Sequence, residues 1–147
     1  MTNRYPVAVL LLLVLGAPTG SASEPNTPQP IAPESLQWAS PPGNPLVQGA
    51  WVVGSEREPG IYAFRVKMAK GGRIPLHTHP DTRFTTVLSG TLYVGFAAPD
   101  EESGVVAVPA GAVYVAPAGQ PHFAWARDGD VEYQESGTGP TAVIPVH

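Results

Sequence analysis

Prolines and glycines interrupt this chain so often that they limit its fold more than any other feature of the sequence. There are eighteen prolines and sixteen glycines among 147 residues. Proline breaks the interior of a helix because it lacks a backbone N–H group and clashes with the preceding turn, and glycine destabilises helix interiors through its greater backbone entropy. Long helices are therefore excluded, and we expect short strands joined by turns.

The segments between these interruptions are rich in β-branched and aromatic side chains, which favour strands. Ten strands are predicted, at residues 48–53, 61–69, 74–79, 85–88, 91–97, 105–108, 112–115, 122–126, 131–136 and 142–146. No amphipathic helical window separates them. The predicted fold class is all-β, as an antiparallel sandwich or barrel.

The first 23 residues have the three parts of a secretory signal peptide. Arg4 supplies the positively charged start, Val7 to Leu15 form an uninterrupted apolar run, and residues 20–23 are the small residues that a signal peptidase needs. The apolar run is too short to span a bilayer, which takes about 20 residues. We therefore expect a secreted or periplasmic protein, with cleavage after Ala22 or Ser23 and no stable membrane insertion afterwards.

A proline-rich segment follows the signal peptide. Residues 24–45 contain seven prolines in 22 residues, a density that favours extended chain over helix. We predict that this segment is a linker, and that the apolar side chains of Leu36 and Trp38 attach its end to the domain. The folded domain is predicted to span residues 46–147.

The charge and the absence of cysteine exclude several classes of function. Eight basic residues face twelve acidic ones, for a net charge of -4. Because the basic residues are scattered singly, they form no stripe that could neutralise phosphates, and no nucleic-acid partner is expected. Without cysteine, the chain cannot form disulfides, thiolate metal sites or a cysteine nucleophile. Any metal ion must be held by nitrogen and oxygen ligands.

Three of the four histidines fall in two short segments that could form one site. His77 and His79 lie two residues apart on a predicted strand, so both rings leave the same face. His122 follows 43 residues later, after a turn that could return the chain to the first pair. A closed barrel would bring the three rings together, whereas a lone histidine on a strand is usually structural.

The spacing of these residues resembles the two motifs of the cupin family. The first motif runs Gly, five residues, His-x-His, three or four residues, Glu, six residues, Gly; here it reads Gly71, five residues, His77-Thr78-His79, three residues, Arg83, six residues, Gly90. The second runs Gly, five residues, Pro-x-Gly, two residues, His, three residues, Asn; here it reads Gly111, five residues, Pro117-Ala118-Gly119, two residues, His122, three residues, Ala126. The resemblance implies a cupin-type double-stranded β-helix, or jelly-roll barrel. It also implies that His77, His79 and His122 bind a divalent metal ion, which could be Fe, Zn, Mn or Ni.

Arg83 stands where the family has a glutamate ligand. At an effective dielectric constant of 20, a guanidinium about 5 Å from a divalent ion repels it by roughly 6 to 7 kcal/mol. Three arrangements avoid this repulsion. Arg83 points away from the barrel interior, or it pairs with an acid, or it binds an anionic group of the substrate. The candidate acids are Asp81, Glu132 and Glu135. The third arrangement makes Arg83 the predicted substrate-binding residue.

Asp81 is the nearest carboxylate in sequence that could replace the missing glutamate as a ligand. An aspartate that follows a proline in such a turn more often caps the backbone. No residue is predicted as catalytic.

Two functions from different classes agree with these residues. The first is an exported metal-dependent enzyme that acts on a small molecule, most plausibly a dioxygenase, because three histidines suffice to hold a catalytic ion with an open coordination position. The second is a non-catalytic module that binds or senses a small ligand or a metal ion, which the loss of the family's Glu and Asn favours. An isomerase or epimerase is a weaker third alternative. The resemblance also leads us to expect a homodimer.

Overall fold

The computed structural model describes residues 28–96 and 104–146. The predicted signal peptide at residues 1–23 lies outside these residues. The described residues form one 3-10 turn (Pro33–Ser35) and ten strands: β1 (Val47–Val53), β2 (Gly60–Met68), β3 (Arg73–Thr78), β4 (Arg83–Ser89), β5 (Thr91–Gly95), β6 (Val106–Pro109), β7 (Val113–Ala116), β8 (His122–Trp125), β9 (Val131–Gly139) and β10 (Ile144–Pro145). No helix in this part of the chain is long and apolar enough to cross a membrane.

The strands form two five-stranded antiparallel sheets. The first sheet has the order β1-β2-β9-β4-β7, and the second has the order β10-β3-β8-β5-β6. Consecutive strands such as β3 and β4, or β8 and β9, belong to different sheets, so the chain repeatedly crosses between them. The prediction of an all-β jelly roll is confirmed.

The hydrophobic core lies between the two sheets. It takes side chains from strands of both sheets, and its members are Val47, Val66, Met68, Val87, Leu92, Val94, Val108, Ala124, Ala126, Val131 and Tyr133. Burying this apolar surface holds the sheets together. Gly90 makes the tight turn from β4 to β5 with φ of +73°, and a Cβ atom there would lie 2.2 Å from the carbonyl oxygen of Asp130.

The ten strands lie where the sequence predicts them, apart from their ends. β4 begins at Arg83, two residues before the predicted start, because Arg83 pairs with Ala116 of β7. β9 continues to Gly139 because its glycine- and threonine-containing end pairs with the start of β2. Pairing with a neighbouring strand thus extends strands through residues that have little strand preference of their own.

The end of the proline-rich segment packs against the domain. Leu36 is buried, Ala39 exchanges backbone hydrogen bonds with Gly49 of β1, and the ammonium of Lys67 lies 4.1 Å from the centre of the Trp38 ring. The described residues from Ile31 onward belong to one compact unit.

Candidate metal centre

Strand pairing in the second sheet brings the two histidine segments together. β3 and β8 are antiparallel neighbours, and His77 of β3 lies directly opposite His122 of β8. His79 follows the end of β3 by one residue. The backbone N–H of Gly119 donates to the carbonyl of His79 at 2.8 Å, which ties the turn before His122 to the first pair. Gly119 has φ of +74°, a conformation that glycine adopts at little cost.

The three rings meet in the interior of the protein. His77, His79 and His122 are 5%, 2% and 2% exposed. One ring nitrogen from each residue lies within 4.8 Å of the others, and the Nε2 atoms of His77 and His79 are 3.1 Å apart. We call these three residues the histidine cluster. The expectation that a rolled-up sheet would gather the three rings is confirmed.

Backbone carbonyls orient all three rings. The Nδ1 atom of His77 lies 2.7 Å from the carbonyl oxygen of Pro75, that of His79 lies 2.8 Å from Ala142, and that of His122 lies 3.0 Å from Gln120. A carbonyl oxygen only accepts, so each Nδ1 must carry the hydrogen and donate it. In a neutral ring this leaves the lone pair on Nε2.

The rings of the first pair are neutral near pH 7. Burial is the main cause that lowers the pKa of His77 to about 4, and the positive charge of Arg83 is a smaller cause in the same direction. Burial also lowers the pKa of His79 to about 3, with the charge of Arg83 as the next cause. Because metal ions bind the neutral form of histidine, these shifts keep both Nε2 lone pairs available at neutral pH.

The geometry of the cluster fits a metal ion. Two Nε2 lone pairs that face each other at 3.1 Å share no hydrogen, so they repel unless a cation lies between them and the third ring. A ring whose Nδ1–H donates to a carbonyl, and whose Nε2 is free, has the arrangement typical of a metal-bound histidine. The cluster could therefore hold a divalent ion through three nitrogen atoms.

Arg83 is buried and bound to acidic and polar groups. It is 5% exposed. Its Nη1 donates to Oε2 of Glu135 at 2.6 Å, and its Nη2 donates to Oγ1 of Thr141 at 2.7 Å and to the carbonyl of Ala142 at 3.3 Å. Its Nε lies 3.8 Å from Oδ1 of Asp81. Of the three arrangements expected for Arg83, the structure therefore shows pairing with acids. The prediction that Arg83 binds substrate stays a prediction.

Asp81 belongs to this polar network and is absent from the histidine cluster. Its carboxylate accepts hydrogen bonds from the hydroxyls of Tyr62 and Thr141. Among the described residues, no carboxylate joins the three histidines in one ligand group. Glu132, the third acid considered for Arg83, instead lies 3.9 Å from Arg65. We refer to Arg83, Asp81, Glu135, Thr141 and Tyr62 as the arginine network.

Several members of this network could not be predicted from the sequence. Glu135 was one of three candidate partners for Arg83, but nothing local to the sequence separated it from Glu132. Thr141 and Tyr62 carried no motif that predicted their contacts. The carbonyl of Ala142 is a backbone group that any residue would provide, so no residue type could have indicated it.

Most of the side chains that follow His122 are buried. Ala124 and Ala126 are buried within the core cluster. Phe123 is also buried, and Cε1 of its ring lies 2.1 Å from the position that a Cβ atom on Gly95 would occupy. The guanidinium of Arg73 covers the ring of Trp125 at 3.9 Å. Phe123 thus packs within its own chain.

Two cavities lie near the site without containing the histidines. A cavity of about 200 Å³ is lined by Trp51, Glu56, Tyr62, Phe64, Arg83, Thr141, Ala142 and Val143. A larger, mainly apolar groove of about 940 Å³ has walls from β1, β3 and the segment before β1. Each cavity borders a residue whose carbonyl contacts the histidine cluster, Ala142 for the smaller cavity and Pro75 for the groove, and only the smaller one also borders Arg83.

Comparison with known proteins places these features in a family. The family model described as Cupin matches residues 51–146. Among curated relatives, Germin-like protein 1-1 of Oryza sativa subsp. japonica is 40% identical over 86 residues, which is 58% of this chain and 36% of that protein. Germin-like protein 8-11 of the same organism is 45% identical over 67 residues, 44% of this chain and 30% of that protein. The chain thus matches about a third of the length of these relatives.

Solved structures share the fold at low sequence identity. KdgF from Halomonas sp. matches with a TM-score of 0.59 and 22% identity, over 74% of this chain and 92% of that one. The polyketide cyclase RemF from Streptomyces resistomycificus matches with a TM-score of 0.64 and 14% identity, over 82% of this chain and 88% of that one. At these identities the similarity establishes the fold alone.

Proposed function

The chain belongs to the cupin family, and from that premise we propose that it is an exported metalloprotein that acts on a small molecule. His77, His79 and His122 hold a divalent ion through their Nε2 atoms. The observation that carries this proposal is the common orientation of the three rings. Each Nδ1 is fixed by a backbone carbonyl, so the three free nitrogen atoms are turned toward one another.

The ligand set limits which ion the cluster selects. Three imidazole nitrogens suit Zn, Fe and Ni, whereas Mn prefers oxygen ligands, and no carboxylate joins the cluster among the described residues. When bound, the ion supplies a Lewis acid with at least one open coordination position for a small molecule. Imidazole ligands carry no negative charge, so the full charge of the ion would be left to attract an anionic or polarised group of that molecule.

The remaining residues create the setting for this chemistry. The two buried alanines after His122, Ala124 and Ala126, contribute only methyl groups on the side of the strand that carries the histidine. Burial of the cluster excludes water, which strengthens electrostatic interactions inside it. These features favour a small substrate, and an oxygen-dependent dioxygenase is the specific activity that we propose.

Export is the second part of the proposal. It rests on residues 1–23, whose charged start, apolar run and small residues match a signal peptide. N-terminal sequencing of protein recovered from the periplasm or the medium should find a chain that begins at Ser23 or Glu24. Recovery of the intact chain from the cytoplasm would contradict export.

Elemental analysis tests the metal site. The mature protein, purified without a histidine tag, should contain close to one equivalent of a transition metal ion. A variant with all three cluster histidines changed to Ala should contain none. Equal metal content in the two proteins, or none in either after growth with added Zn, Fe, Mn and Ni, would refute the site.

Oxygen consumption tests the enzymatic activity. The metal-loaded protein is mixed with a panel of thiols, diketones and phenols in an oxygen electrode, and the triple-alanine variant serves as the control. Turnover that depends on the histidines would support a dioxygenase. The absence of oxygen uptake with every compound, despite full metal occupancy, would contradict it.

A non-catalytic binding or sensing module is the second candidate. It is favoured because the cluster contains no carboxylate among the described residues, and thus no acid beside the metal ligands to move a proton. Stable binding of metal or a small ligand without turnover would support this candidate.

A further inference from the structure

One backbone carbonyl connects the arginine network to the histidine cluster. The carbonyl oxygen of Ala142 accepts from Nδ1 of His79 at 2.8 Å and from Nη2 of Arg83 at 3.3 Å. We propose that Arg83, at the position where the family has a metal ligand, is a positioning residue that holds His79 for metal binding through this carbonyl. The inference rests on the metal site proposed above, and it assigns to Arg83 a role other than the predicted contact with substrate.

Arg83 joins three separate parts of the chain. Its own position begins β4, Glu135 lies on β9, and Thr141 and Ala142 belong to the segment between β9 and β10. The guanidinium donates to all three partners with its Nη atoms. A planar group with several fixed donors can hold three acceptors at once in one geometry, which a single ammonium cannot do.

Asp81 closes the same network from the other side. It follows His79 by two residues and accepts from Thr141, so the loop that carries His79 and the segment that carries Ala142 are tied together. Tyr62 fixes the second oxygen of Asp81 at 2.6 Å. A Cβ atom on Gly137 would lie 2.6 Å from both Oδ2 of Asp81 and the Tyr62 hydroxyl. Because Gly137 of β9 has no side chain, it leaves room for the hydrogen bond between Tyr62 and Asp81.

Charge and position have opposite effects on metal affinity, which makes the proposal testable. Arg83 repels a nearby cation, and its removal also leaves the negative charges of Glu135 and Asp81 without their counter-ion. Both electrostatic effects predict tighter metal binding when Arg83 is neutralised. Loss of the contact that orients a ligand predicts weaker binding, typically by 10- to 100-fold.

The test compares four proteins: the wild type, Arg83→Met, Arg83→Lys and Arg65→Met. Arg65 is the matched control because it also pairs with a carboxylate of β9, Glu132, without contacting the Ala142 carbonyl. Each metal-free mature protein is titrated with Co²⁺, and binding is followed by the visible absorption of the bound ion. A second measurement records the Nδ1–H signal of His79 in the nitrogen–proton NMR spectrum of the metal-free proteins.

Arg83→Met should bind Co²⁺ 10- to 100-fold more weakly than the wild type and give an altered absorption spectrum. Arg83→Lys keeps the charge but loses the planar donor group, and its affinity for Co²⁺ should fall at least tenfold. Arg65→Met should stay within about twofold of the wild type. The Nδ1–H signal of His79 should shift, or be lost to solvent exchange, in both Arg83 variants and stay unchanged in Arg65→Met.

Unchanged or tighter Co²⁺ binding by folded Arg83→Met or Arg83→Lys would overturn the positioning role. If Arg83→Met does not fold, Arg83→Lys and Thr141→Val, which removes one acceptor of the guanidinium without changing charge, decide the question by the same measurements. If the wild type itself binds no Co²⁺, the proposed function fails, and the His79 signal alone decides whether Arg83 positions the ring.

Discussion

Replacing Arg83 by methionine would leave two carboxylates inside the protein without a counter-ion. Nη1 of Arg83 lies 2.6 Å from Oε2 of Glu135, and at an effective dielectric constant of 20 that pair attracts by about 6 kcal/mol before desolvation is subtracted. Removing one partner of such a buried pair usually costs about 3 to 5 kcal/mol, because the other charge stays buried and unpaired. We expect Arg83→Met to lower the free energy of unfolding by about 4 kcal/mol.

A double-mutant cycle separates the pair from its surroundings. Glu135→Leu should cost about 3 kcal/mol, less than Arg83→Met, because Arg83 keeps Asp81 and two neutral acceptors. The double variant should cost about 4 kcal/mol rather than the sum of the two single changes, since it leaves no charge of this pair unmatched. The expected coupling energy is therefore about 3 kcal/mol.

Urea unfolding of the four proteins at neutral pH measures this coupling, provided that the denaturant slope m is the same in each. The control cycle uses Arg65→Met and Glu132→Leu, whose charged atoms are 3.9 Å apart and whose side chains are 19% and 27% exposed. Its coupling energy should stay below about 1 kcal/mol. The reasoning would be refuted if the free-energy costs of Arg83→Met and Glu135→Leu add up to the cost of the double variant within about 0.5 kcal/mol.

Three further predictions concern turns, packing and the metal. Gly90→Ala and Gly111→Ala both place a side chain at positive φ, but of these two positions only Gly90 would bring the Cβ within 2.2 Å of a carbonyl oxygen. Urea unfolding should show that Gly111→Ala lowers the free energy of unfolding by about 1 kcal/mol and that Gly90→Ala lowers it clearly more. Equal losses of stability would contradict the close approach at Gly90. Gly95→Ala places a methyl group against the ring of Phe123 and should lower the free energy of unfolding by about 1 to 3 kcal/mol. Adding Phe123→Leu, which makes the neighbouring side chain smaller, should restore part of this stability. If it restores none, another contact is responsible for the loss. A metal ion at a concentration 100 times its Kd should stabilise the wild type by about 2.7 kcal/mol and raise its Tm by roughly 10 °C. Calorimetry should find this rise in Tm for the wild type and no rise for the triple-alanine variant. A similar rise in both proteins would show that the ion binds elsewhere.

Local sequence was sufficient to predict the strands. Each strand carries its own run of β-branched or aromatic residues, and glycine or proline marks the turns, so all ten could be placed without knowledge of their partners. The errors are confined to strand ends such as Arg83 and Gly139, where pairing with a neighbour extends the strand. The three candidate ligands could also be selected, because His77 and His79 alternate on one predicted strand and His122 follows a recognisable turn.

The sequence by itself determined an all-β chain whose two histidine segments match the spacing of a metal site, since strand alternation and turn chemistry act over a few residues. Only the tertiary structure decided which groups Arg83, which replaces the family's glutamate, contacts. Its partners Glu135 and Thr141 lie 52 and 58 residues away, and β4 reaches Glu135 only because β9 lies beside it in the first sheet. The carbonyl of Ala142, which it shares with His79, is a backbone atom present in every residue. Contacts of this kind depend on which strands become neighbours, and the free energy that selects those neighbours comes from burial of the whole core rather than from any short segment.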